Sequence, residues 1–121
     1  MATLAREAAH TRSIRAPIAE VAARLQEVLG QRLTAVVAGV SDAKAVGQWA
    51  RGLRSPHPDA ERRLRDAYQV VVLLLEVDAP ETIRAWFGGM NPHLDDQAPA
   101  LAVATQPEHV LQAAQAFVAS G

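Results

Sequence analysis

Lys44, Gln48 and Arg51 lie four and then three residues apart, a spacing that stacks side chains on one face of a helix. Two cations and a carboxamide on such a face can meet base edges or phosphates in a DNA major groove. Ser41 just upstream and Arg54 just downstream extend the group. Arg32, Arg62, Arg63 and Arg65 add candidate phosphate contacts, which supply much of the affinity for a polyanion. A second group lies later in the chain. His93, Asp95 and Asp96 share one polar loop, and Glu108, Gln112 and Gln115 share the outer face of a predicted last helix. Carboxylates repel a polyanion, so this group suits a protein partner. Asn91 is placed with these contacts, with capping of the loop backbone as its alternative role.

The two groups fall in halves of opposite sign. Residues 1–65 hold 11 of the 12 Lys+Arg and 6 of the 13 Asp+Glu, a net of +5. Residues 66–121 hold one basic residue, Arg84, against 7 acidic ones, a net of −6. The near-neutral total of −1 hides that division.

Other chemistry is poorly represented. His10, His57, His93 and His109 lack metal-ligand spacing, so no metal site is expected. His93 beside Asp95-Asp96 admits a metal or acid–base reading, but adjacent carboxylates on a polar loop are more often solvated. With no cysteine there is no disulfide, thiolate zinc site or cysteine nucleophile, which is compatible with the cytosol. Gly88-Gly89 lacks the Lys and Ser/Thr of a phosphate loop, and no serine sits in a nucleophile elbow. Neither enzymatic activity nor a cofactor is expected. No signal-like segment opens the sequence, and the longest apolar run, Val70–Leu75, is too short to span a bilayer. The expected location is cytoplasmic, without a membrane.

The elements that position these groups read as all-α. Residues 1–17 read as a mobile, mildly basic arm. A first helix buries Ile18, Val21, Ala22, Leu25, Val28 and Leu29, with Pro17 at its start and Gly30 at its end. A second, with Leu33, Val36, Val37 and Val40, ends near Gly39. A third, capped by Asp42, buries Val46, Trp49, Ala50 and Leu53. Ser55-Pro-His-Pro58 breaks the chain, and Asp59 caps a long helix over about 60–76. Its end, Val70–Leu75, is apolar on every side. It must be covered all round, as the pivot between the halves, as a homodimer interface, or both. A short helix capped at Asp78 points Ile83, Trp86 and Phe87 inward. A turn of helix follows at 100–104. The last helix, capped at Thr105, buries Val110, Leu111, Ala114, Phe117 and Val118.

Residues 33–52 resemble a helix-turn-helix. Gly39 supplies the turn and Val40 plugs the gap. Gly47 on the outer face lets the backbone approach DNA, which gives a reason for a residue that costs about 1 kcal/mol against Ala. Gly39 and Val46 are one residue further apart than is commonest, so a slightly enlarged turn is expected.

Trp86-Phe-Gly-Gly-Met-Asn91-Pro92-His93-Leu94-Asp-Asp-Gln-Ala-Pro99 resembles the "W…PN..L…P" signature of the Xre/MbcA/ParS toxin-binding domain. Members carry an Xre-like helix-turn-helix upstream and two helices downstream, and the likeness covers roughly residues 18–121. Gly88-Gly89-Met90 departs from the shorter, more polar link common in that family. The resemblance implies a type II antitoxin. It would cover the active site of a RES-domain, NAD-degrading toxin and repress its own operon through operator DNA. The expected organisation is a basic arm over 1–17, a DNA-binding region over 18–65, and a toxin-binding subdomain over 66–121, joined through the long central helix. The alternatives are a stand-alone regulator whose acidic half only dimerises, and an interaction module with a degenerate helix-turn-helix.

Overall fold

The computed structural model describes residues 2–120, and among them the chain is all-helical. It forms α1 (Ala2–Arg15), α2 (Ile18–Leu29), α3 (Gln31–Ala38), α4 (Lys44–Ala50), α5 (Pro58–Leu75), α6 (Pro80–Gly88), a 3-10 turn (Pro92–Leu94), α7 (Pro99–Ala102) and α8 (Pro107–Ser120). No described helix is long and apolar enough to cross a membrane.

The central strut is α5. Pro58 opens it with a preset φ, and Asp59 and Glu61 complement the positive end of its dipole. Its stretch Val70–Leu74 is buried throughout, with Val71 and Leu74 fully so. The surrounding layer is α1, α2, α3, α6 and α8 from the same chain. Each fully buried Val or Leu contributes about 1.5–3 kcal/mol. The run is therefore helical and covered within one copy, so it no longer argues for a dimer interface.

One core runs through both halves, because α5 crosses the expected boundary at 65/66 without a break. The expected arm over 1–17 is also revised, since residues 2–15 are α1, docked on α5. Ala9 is fully buried, Ser13 is buried, and Arg65 on α5 holds the carbonyls of Ser13 and Ala16 at 2.9 and 2.7 Å.

Two helices end in the same way, and this shapes the site. Gly39 follows α3 with φ +77. Its N–H returns to Val36 O at 3.1 Å, and Val40 N–H to Ala35 O at 3.1 Å. Gly52 closes α4 with φ +73. Its N–H returns to Trp49 O at 3.0 Å, and Leu53 N–H to Gln48 O at 2.9 Å. Paired return bonds of this kind satisfy the last carbonyls and need a left-handed residue. Ala43 rather than Asp42 stands at the N-cap of α4, and Asp42, one residue earlier, accepts from Lys44 N–H through Oδ1 at 2.9 Å.

Several expected positions differ. Leu53 is 67% exposed, because the turn at Gly52 throws it off the buried face of α4. Phe117 lies on the outer side of α8 against Trp86, ring centroids 6.2 Å apart, rather than in the core. Asp78 does not cap α6. Its N–H bonds Leu74 O at the exit of α5, and Ala79 precedes α6 instead.

Candidate nucleic-acid interface and partner surface

Ala45, Val46 and Trp49 are buried and fix α4 to the core. The opposite side leaves Lys44, Arg51 and Arg54 exposed and Gln48 half-buried, with Ser41 exposed in the turn ahead. Lys44, Gly47, Gln48 and Arg51 line a notch of about 390 Å³ with Gln26 and Gln31. The structure thus gathers Lys44, Gln48 and Arg51 on one face, as their spacing predicts. Arg54 joins them, because its Nη1 donates to Gln48 Oε1 at 3.1 Å.

Gln26 and Gln31 escaped sequence reasoning. Gln31 Nε2 donates to Gln26 Oε1 at 2.9 Å, which joins α3 to α2 at the rim of the notch. A Cβ on Gly47 would lie 2.9 Å from that same Nε2. A side chain at position 47 would therefore require the flexible end of Gln31 to shift. The available signal was a polar residue opening α3 directly after Gly30.

The arginines of α5 correct the expected phosphate contacts. Arg62 pairs with Asp66 at 2.7 Å and donates to Ala104 O at 2.9 Å. Arg63 is half-buried, with Nη1 3.4 Å from Ala38 O and a buried Nε that has no partner. Arg65 bonds Glu61 at 3.0 Å besides Ser13 and Ala16. Arg63 and Arg65 serve the fold, while Arg62 is exposed and shared between Asp66 and Ala104. Arg24 is paired with Glu27, and Arg84 donates to Val28 O at 3.1 Å. Lys44, Arg51 and Arg54 form no ion pair among the described residues.

The signature residues of the acidic half each hold structure. Trp86 packs edge-on against buried Phe87, centroids 5.2 Å apart. Asn91 is only 7% exposed. Its Oδ1 accepts from His93 N–H, and its carbonyl from the N–H groups of Leu94 and Asp96, all at 2.9 Å. It forms the turn and is not an accessible contact, which corrects the partner assignment. Pro92 and Pro99 open the 3-10 turn and α7, and Leu94 is buried between them.

His93, Asp95 and Asp96 are exposed together, as expected. Asp95 and Asp96 both have positive φ, +54 and +65, a conformation that L side chains adopt at a cost. Glu108 is exposed in a different setting, a crevice between α1, α5 and α8 with Arg6, Glu7, His10, Asp66 and Gln69. Burial raises the pKa of Asp66 above its ordinary 3.8. Arg62 opposes the rise by charge and hydrogen bond, and Glu108 adds to it.

No protein-family model, no curated protein and no solved structure matches the chain.

Proposed function

We propose that the chain is an antitoxin that also regulates transcription. In this reading it binds double-stranded operator DNA through α4 and holds a RES-type toxin through its acidic half. One observation carries the DNA part. The arginines of α5 are tied to backbone carbonyls or carboxylates of the chain, yet Lys44, Arg51 and Arg54 surround an exposed helix face with no carboxylate paired to them. Uncompensated cations on a rigid element suit phosphate and base contacts. Two copies on paired half-sites follow from how such readers act, not from α5.

Support for the toxin part comes from the sequence signature and from its setting. Trp86, Asn91, Leu94 and Pro99 build a fixed platform that presents His93, Asp95 and Asp96 outward. An acidic surface suits a site made for a dinucleotide with negative phosphates.

Fluorescence anisotropy with the chain's own upstream DNA tests the first part. Lys44→Ala, Gln48→Ala and Arg51→Ala should each weaken specific binding by about 1–3 kcal/mol. Equal affinity for wild type and the triple variant would refute it. Co-expression with a neighbouring RES-domain open reading frame tests the second. Growth with the pair, and arrest with the toxin alone, is expected. DNA binding without rescue would leave the stand-alone regulator.

A further inference from the structure

Ala5 of α1, Leu73 and Val77 at the end of α5, and Val118 and Ala119 at the end of α8 line a groove of about 400 Å³. Val77 is 57% exposed and Ala119 is exposed, so the groove opens to solvent. Its apolar lining sets it apart from the notch at Gly47 and the crevice at Glu108, whose linings are mostly polar. The charge around it has one sign. Glu76 is the only charged residue of the lining, and it is exposed. Asp78 follows two residues later, and neither carboxylate has an ion-pair partner among the described residues. The last turns of α5 and α8 contain no basic residue. Arginines hold carbonyls at the ends of α1, α2 and α3, but none reaches these two ends. Helix C-termini carry partial negative charge. The start of α1 lies beside them and offsets one, which leaves the other end, Glu76 and Asp78. The groove is thus apolar inside and anionic at its edge.

Tight protein interfaces bury an apolar anchor at their centre and keep charged contacts at the rim. His93, Asp95 and Asp96 are exposed and polar, which is the chemistry of a rim. We infer that the groove is the seat for an anchor of the toxin, an apolar side chain such as Leu, Met or Phe with Lys or Arg beside it. The apolar chain displaces water from Leu73, Val77 and Val118, and the cation meets Glu76 and the helix ends. A partner made to accept a dinucleotide with negative phosphates carries cations around its site, in keeping with that edge. The inference rests on the toxin reading, and adds to it a surface and the kind of side chain that it takes.

The test uses the full chain and the neighbouring RES-domain protein, mixed as purified components in isothermal titration calorimetry. Val77→Arg with Ala119→Arg fills the groove and sets cations against cations. Both positions are exposed, so the fold should hold, and circular dichroism checks it. Affinity should fall by roughly 30-fold or more. Glu76→Arg should weaken binding at low salt and much less at high salt, because exposed charges are screened. A photo-crosslinker at position 77 should join a toxin segment that holds an apolar residue with Lys or Arg beside it. Undiminished affinity of the double variant, or a joined segment without a cation, would overturn the inference and leave the toxin reading standing. So would loss of a dimer in sedimentation with toxin binding intact, which would make a second copy the occupant. Failure of wild type to bind the toxin would overturn both.

Discussion

Gly39→Ala is the sharpest perturbation of the turn that aims α4. Two effects add there. At φ +77 an alanine Cβ costs roughly 1–2 kcal/mol in backbone conformation alone. The new Cβ would also overlap Arg63 Nη1. That guanidinium must withdraw from Ala38 O, a long contact at 3.4 Å whose loss costs about 1 kcal/mol. The expected total is about 2–3 kcal/mol, or about 8–12 °C in Tm for a domain of this size. Gly52 provides the internal control. Its φ is +73, but a Cβ there meets nothing within 4 Å. Gly52→Ala should therefore cost only the backbone share, roughly 1–2 kcal/mol. Urea titration monitored by circular dichroism measures both. The Arg63→Met change then completes a double-mutant cycle. It should be about 1 kcal/mol less damaging in the Gly39→Ala background, where its bond is already broken. Equal losses at the two glycines, with additive behaviour of Arg63→Met, would refute the idea that α5 braces the turn.

Arg65→Met should release α1, at a cost of about 1.5–3 kcal/mol for a half-buried charged donor. Hydrogen exchange should then show residues 4–15 losing protection before any other helix. Asp66 keeps its proton to a higher pH when folded than when unfolded, so its contribution lowers stability as pH rises through the window just above 3.8. Asp66→Asn should flatten the stability profile in that window, and urea midpoints between about pH 3.5 and 6 check it. Asp96→Gly relieves a positive φ and should raise stability by about 0.5–1 kcal/mol. If the exposed acids hold the toxin, Asp95→Gly with Asp96→Gly should weaken rescue from toxicity even as the fold tightens.

Much of the helical layout is legible because it is written in local chemistry. Gly30, Gly39 and Gly52 mark ends that need a positive φ, and Pro58 marks a start. The apolar face of α2 shows every buried position by spacing alone. The clustering of Lys44, Gln48 and Arg51 follows from helical period. The misses share a different cause. Residues 2–15 carry almost no apolar periodicity, and α1 is held largely by Ala9, Ser13 and bonds from Arg65, about 50 positions away in the chain. Asn91 stands among the expected contacts with loop capping as its alternative, and the structure gives it the capping role. Its burial comes from three backbone N–H groups that converge on it only once the turn closes. The notch at Gly47 needs Gln26 and Gln31 from two other helices, which no spacing within α4 reveals.

Part of the positive charge of the first half is taken up by the chain's own carbonyls. The last carbonyls of a helix have no partners within it and carry partial negative charge. Long arginines from distant positions meet that need here. Arg65 takes the end of α1, Arg84 a carbonyl in the last turn of α2, Arg63 the end of α3, and Arg62 the exit of α7. Three of these four stand on α5 within four residues. One helix thereby fastens the end of α1, the turn ahead of α4, and the link into α8. The cations that remain outward near α4 are those following the α3 turn, and the chain's own return at Gly52 gathers Arg54 onto them. Removing an α5 arginine should therefore lower stability and leave the salt dependence of DNA binding nearly unchanged. Removing Lys44 or Arg51 should do the reverse, since each released phosphate contact lowers the salt slope by roughly one.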